Sequence, residues 1–348
     1  MEKRKRKEVN ILKNDILVSV IMPTYNTPEE YLKKSIESIL NQSYSNIEFI
    51  IICDGCIEDE KIIENYKDNR IKIIRHTKNE GIAKSLNEAI DMAKGKYIAR
   101  MDSDDISLKN RIKMQVQYME KNKNIMVCGM DAKCIGETKR IKSTYNIRPQ
   151  EVEIQLLYMN CMIHPTVMLR KSFLDENNIR YNEDFQCSQD FELWARIVDD
   201  HNFAIIPKIG LLHRAHKNQI SQKKTEIQKK LRYEIINANI KKIKYENEKD
   251  VKNLLLILSG SNEINMSNCK EIIELANSII EKQYNTKLYK KVFYNRIFQI
   301  IISTKKLRKH IIKILKENAE LLNFNNLEYL IYKTFKFVEE NILNLFYK

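Results

Sequence analysis

The chain of 348 residues lacks any run of about 18 apolar residues, so no membrane-spanning helix is expected. Its basic opening, "MEKRKRKEVN", is not followed by the apolar core of a signal peptide, which points to a cytoplasmic chain. Cysteine is sparse and irregularly spaced: Cys53, Cys56, Cys128, Cys134, Cys161, Cys187 and Cys269 form no disulfide framework and are expected to be reduced thiols. "CDGC" (53–56) has redox spacing, yet no second pair of matching spacing completes a zinc site. Beyond residue 220 proline is absent and Gly260 is the sole glycine, so little interrupts a helical pattern. Acid is locally absent too: Glu281 is the only acidic residue between 281 and 316.

The net charge of +14 resides in the first eight residues and in residues 221–348, leaving 9–220 neutral overall. Within 16–104, apolar runs alternate with amphipathic stretches. "ILVSVIMPTYN", "IEFIIICDG", "RIKIIRH" and "YIARMD" read as strands, while "PEEYLKKSIESILNQ" and "GIAKSLNEAIDMAKG" read as helices, the second closed by Gly95. This alternation predicts an α/β fold with a parallel sheet covered on both faces, whose ligands bind at the carboxyl ends of the strands. "MVCGM" and "TVMLR" are further strands and "DFELWARIV" a further helix. The expected organisation is a basic extension (1–15), a catalytic domain (16–220) and a basic helical domain (221–348).

Asn26, Asp54 and the pair Asp102 and Asp104 all follow strand ends, so three polar clusters converge on one edge. In Asp102-Ser103-Asp104 two carboxylates project from one side of an extended segment. Hard oxygen ligands of this kind suit Mg²⁺ or Mn²⁺; a solvated turn capping the helix near Leu108 is the other reading. Asp190 begins a helix, where the dipole favours a carboxylate either as a cap or as a base. His164 is a turn histidine or part of a pocket, and "LLHRAHKNQIS" (211–221) is a basic loop. Apolar residues Leu288, Val292, Ile297, Ile301, Leu307, Ile311 and Leu315 thread the basic tail. They predict either a packed helical subdomain or helices lying on an anionic membrane face. No aromatic-interleaved basic motif supports nucleic-acid binding.

"VSVIMPTYN", "IICDG", "KNEGIAKSLNEAI", "ARMDSDD", "HPTVMLRKS" and "QDFELWARI" occur in the order and spacing of inverting family 2 glycosyltransferases with the GT-A fold, which residues 17–220 resemble. The likeness is to capsule and O-antigen sugar transferases. It implies that Pro23, Thr24 and Tyr25 form the first nucleotide-binding loop, that Asp54 meets the base, and that Asn79, Gly81 and Lys84 line the nucleotide. It further implies Asp102 and Ser103 at the ribose and sugar, Asp104 and His216 on Mn²⁺ or Mg²⁺, and Arg214 on the diphosphate. Asp190 would be the general base, with His164 and Gln189 around the sugar and acceptor, Asp105 at the donor sugar or steadying a neighbouring basic residue, and Trp194 packed in the core below the base helix or edging the acceptor site. Cys53 and Cys56 stand where many relatives carry an acid and a serine, and Lys109 stands where proline is common.

The implied reaction moves one sugar from a UDP-sugar to a glycan or lipid-linked acceptor at the inner membrane face. Polymerising relatives carry Q-x-x-R-W and membrane spans; here Leu193, not Arg, precedes Trp194. A nucleotidyltransferase would need a Gly-rich loop and basic pair after the first strand, and "MPTYNTPEE" has neither. A non-catalytic binding protein is disfavoured by intact Asp102, Asp104 and Asp190.

Overall fold

Ile47–Asp54 (β2) is buried along its whole length, and its alternating side chains explain why. Ile50 and Ile52 enter one hydrophobic core, while Phe49, Ile51 and Cys53 enter the core on the opposite face of the sheet. The flanking strands Val18–Thr24 (β1) and Tyr97–Arg100 (β4) divide in the same way, with Ile21 and Ile98 on one side and Val20, Met22 and Ala99 on the other. Each fully buried aliphatic side chain contributes about 1.5–3 kcal/mol, so the two cores dominate the stability of this region.

The structure is a computed structural model that describes residues 16–303, except 138–140, 143–146, 148, 199–201, 216–224, 261–264, 266–267 and 284. The expected N-terminal extension, His216, and the tail residues Leu307, Ile311 and Leu315 lie outside the described residues. The remaining strands are Ile71–His76 (β3), Ile106–Ser107 (β5), Val127–Gly136 (β6), Ile141–Lys142 (β7), Met168–Arg170 (β8) and Phe203–Ala215 (β9). They form one nine-stranded sheet in the order β3-β2-β1-β4-β8-β6-β9-β5, with β7 beside β6.

The expected parallel pairing holds for β3-β2-β1-β4 and recurs between β6 and β9. β8 runs antiparallel to both β4 and β6, and β5 runs antiparallel to β9. The sheet is therefore mixed.

Helices Glu29–Leu40 (α1), Ile57–Glu64 (α2) and Ile82–Met92 (α3) connect the parallel strands. α1 buries Leu32, Ser35, Ile36 and Ile39, one stripe of a 3.6-residue period, and places Glu29 and Glu30 at its positive end. α3 ends at Met92, short of the expected stop at Gly95. Gly95 instead donates its N–H to Ser19 Oγ at 2.8 Å, and a Cβ there would lie 2.5 Å from Ser19 N. Arg111–Lys121 (α4), Pro149–Leu156 (α5), Lys171–Glu176 (α6) and Gln189–Ile197 (α7) complete the elements around the sheet.

The chain divides into two compact units: 1–156 with 160–235, and 157–159 with 236 onward. Thr225–Asn239 (α8) spans the boundary in sequence, and Glu248–Ser259 (α9), Cys269–Ile280 (α10) and Thr286–Ser303 (α11) belong to the second unit. Asn247 caps α9 by accepting from Lys249 N at 3.1 Å, and Gly260 ends it in the left-handed region. On α11, Val292, Phe293, Ile297, Phe298 and Ile301 are all buried.

Candidate active site

The carboxyl ends of β1, β2 and β4 form one edge, and hydrogen bonds between their loops make it rigid. Thr24 is buried, and its hydroxyl donates to Asp59 Oδ2 at 2.6 Å. Asp59, on α2, also accepts the Thr27 N–H, and Thr27 Oγ1 lies 2.7 Å from Ser103 Oγ. Pro23 and Thr24 therefore set the loop's position, while Tyr25 leaves its ring half exposed.

Asp54 is buried at the end of β2. Its Oδ1 accepts Glu80 N–H at 2.7 Å and its Oδ2 accepts Gly81 N–H at 3.0 Å, so the carboxylate latches the 79–81 loop. His76, its register partner on β3, bridges Asp54 and Glu88 at 2.7 and 2.8 Å. Burial lowers the His76 pKa, but the two carboxylates outweigh it and the net shift is upward. Gly55 takes φ +76°, and a Cβ there would fall 2.3 Å from the backbone carbon of Lys78. Glycine is thus required where the two loops touch. Asn79 is exposed, and Lys84 pairs with Glu80 at 3.1 Å. Cys53 is buried, which pushes its thiol up to about 12, and the described cysteines are free. The "CDGC" spacing supports no redox pair here.

After β4, Asp102, Asp104 and Asp105 present carboxylate oxygens within 4.8 Å of one another. Asp102 Oδ1 pairs with Arg100 Nη2, and the Asp102 carbonyl accepts Ser35 Oγ at 2.9 Å. Asp105 is 1% exposed; Oδ1 accepts Arg214 N–H at 2.7 Å, while Oδ2 is buried without a partner. Burial, then the charges of Asp102 and Asp104, raise its pKa well above the carboxylate range. Arg214 also donates from Nε to the Asp104 carbonyl at 2.9 Å, and its guanidinium lies 3.9 Å from the Tyr31 ring centroid. Three close carboxylates with one orphaned buried oxygen fit a hard divalent cation in donor type and charge.

Asp190 occupies the first turn of α7. Its Oδ2 accepts Asn160 Nδ2 at 2.7 Å and its Oδ1 accepts Phe191 N–H at 2.9 Å. Burial raises its pKa, partly offset by Phe191 N–H, Arg100 and Asn160. Gln189 is buried beside it.

His164 is buried, 2.8 Å from the Tyr181 hydroxyl, and burial followed by the Arg100 charge pushes its pKa well down. Trp194 is 0% exposed and packs edge-on against His164, Tyr181 and Phe203. Of the two readings of Trp194, the core position holds and the acceptor edge does not: the sealed indole braces α7 from beneath.

Sequence reading missed Arg100, His76, Asp59 and Asn160. A charged residue inside the apolar run "YIARMD" was the signal for Arg100. The other three depend on register and tertiary contact.

The family model described as "Glycosyl transferase family 2" matches residues 19–189. An uncharacterized glycosyltransferase of Methanocaldococcus jannaschii is 38% identical over 206 residues, covering 57% of this chain and 70% of that protein. The Escherichia coli UDP-Glc:alpha-D-GlcNAc-diphosphoundecaprenol beta-1,3-glucosyltransferase WfgD is 34% identical over 197 residues, 56% of this chain and 74% of that one. The E. coli O-antigen biosynthesis glycosyltransferase WbnJ is 38% identical over 190 residues, 53% and 72% of the two chains. Among solved structures, S. aureus TarS in complex with UDP superposes with a TM-score of 0.55 at 16% identity, covering 89% of this chain and 93% of that one, a likeness of fold. With the acid cluster at the strand ends and sequence identity along most of these relatives' length, the chain belongs to glycosyl transferase family 2 and is a glycosyltransferase.

Proposed function

We propose that residues 16–220 form a catalytic domain that transfers one sugar from a UDP-sugar, with inversion, to a glycan or lipid-linked acceptor in surface polysaccharide synthesis. The observation that carries this reading is the convergence of the Asp54 latch and the Asp102–Asp105 cluster on one rigid edge. The nucleotide would rest between Tyr25 and the 79–81 loop, with Asp54 at the base and Asp102 and Ser103 at the ribose and sugar. Arg214, fixed by Asp104 and Asp105, would face the diphosphate. Asp104 and Asp105 would hold Mn²⁺ or Mg²⁺. When bound, the cation offsets the charge of the departing diphosphate.

Asp190 would take the proton of an acceptor hydroxyl as that oxygen bonds to the anomeric carbon and the carbon–diphosphate bond breaks. Its raised pKa suits a base that must accept a proton. The names of the two E. coli relatives support the donor and acceptor classes.

Asp190→Asn should lower kcat by about 10²–10⁴-fold while UDP binding, read by calorimetry, stays as in wild type. Full activity in that variant would overturn the assignment of the base. Activity that persists in excess chelator would overturn the metal. Contact with an anionic membrane would rest on basic side chains, because α11 spends Val292, Ile297 and Ile301 on the core of its own unit. Co-sedimentation with anionic liposomes that vanishes in high salt is the expected result.

A further inference from the structure

Arg100 ends the buried strand β4, and its side chain is 3% exposed. Nη2 meets Asp102 Oδ1, whereas Nε and Nη1 are buried with no hydrogen-bond partner. Sealing two donors without acceptors costs stability. A purely structural ion pair does not account for that cost. Asp102 is 30% exposed and could be paired by a surface arginine, and an apolar side chain would fill the interior position more cheaply.

The position does provide a permanent positive charge that reaches several groups of the site. It acts on Asp190, on Asp105 and on buried Tyr181, and it pushes His164 toward the neutral form. Around Asp190 the charged or titratable neighbours are Arg100 from β4 and Tyr181 from the segment before α7, with neutral Asn160 opposite.

We infer that Arg100 is a positioning residue for the acid cluster: by pairing with Asp102 Oδ1 it withdraws that carboxylate from the cation and leaves Asp104 and Asp105 to hold it. This rests on the reading of Asp104 and Asp105 as the cation's ligands.

The test uses the full chain and the variants Arg100→Met and Arg100→Lys. Mn²⁺ titrated alone, followed by electron paramagnetic resonance, should bind about tenfold tighter to Arg100→Met, because Asp102 is released and a repelling charge is gone. Arg100→Lys keeps the charge and should match wild type. Arg100→Gln carries the same expectation as Arg100→Met should the latter not fold. Unchanged or weaker Mn²⁺ binding in Arg100→Met, as a merely structural arginine would give, overturns the inference, while a wild type that binds no Mn²⁺ would remove the ligand reading and the inference with it.

Discussion

The two units of this protein treat buried polarity in opposite ways. Among the described residues of the helical unit, the buried polar side chains are Asn239, Ser259 and Gln283, none of them charged. They are also well paired: Gln283 joins both backbone groups of Lys244 and the Ile279 carbonyl, and Asn239 donates to Leu157 O. The sheet unit buries Glu48, Asp54, Asp59, Arg100, Asp105 and Arg111. Even there a division holds. Glu48, remote from the carboxyl edge, accepts from Ser19, Lys94 N–H and Lys72, while at the carboxyl edge Arg100 and Asp105 keep orphaned atoms. Unsatisfied buried polar atoms cost stability, and at Arg100 and Asp105 they fall beside the acid cluster, where chemistry outweighs packing in the choice of residue.

The contrast can be broken most sharply in the helical unit. Phe298→Ala removes a fully buried ring and should cost about 3–5 kcal/mol, read by denaturant unfolding. UDP affinity should hold below the unfolding transition, since the residues proposed to bind the nucleotide all belong to the sheet unit. A parallel loss of UDP binding in the folded variant would erase the distinction between the units.

A smaller and opposite effect is expected at the acid cluster. Asp105→Asn removes a carboxylate buried beside two like charges while keeping an oxygen for the Arg214 N–H. Without divalent cation it should raise stability by about 1–2 kcal/mol, a Tm increase of about 2–8 °C, and transfer activity should collapse. A lower Tm would show that the cluster stabilises the fold rather than strains it.

The smallest effect sharpens the account of the latch. His76 gains its proton from contact with Asp54 and Glu88, so its folded pKa lies above the unfolded value of about 6.5. The stabilisation is complete below that value and is lost as pH rises through the folded pKa. Donor KM should therefore rise severalfold from pH 6 to 8 in wild type and stay flat in His76→Gln. A flat wild-type profile would detach His76 from donor binding.

Much of the parallel half was legible in the sequence because its strands are uninterrupted apolar runs closed by Pro, Asn or Asp-Gly, and those closures placed Asp54 and Asp102–Asp105. The other half was not. β6 runs parallel to β9 across more than 75 residues, with irregular register between Met130 and Ala132, and no local pattern encodes such pairing. The same limit hid His76, whose meeting with Asp54 is a matter of strand register. For Trp194 the sequence left two readings, core or pocket edge, and only its packing against His164, Tyr181 and Phe203 decides for the core. Arg100 sat in plain view within a run otherwise suited to a core, and its charge was the only clue.

Gly55 has a bearing on how this site can be re-engineered. With 2.3 Å between its hypothetical Cβ and Lys78, any side chain there would drive the 78–81 segment away from β2 and unhook both N–H groups from Asp54. The spacing between the 78–81 segment and the end of β2 is in that sense set by a single hydrogen atom. Libraries aimed at new donors would gain little by varying position 55; half-exposed Tyr25, on the neighbouring strand end, offers a freer handle.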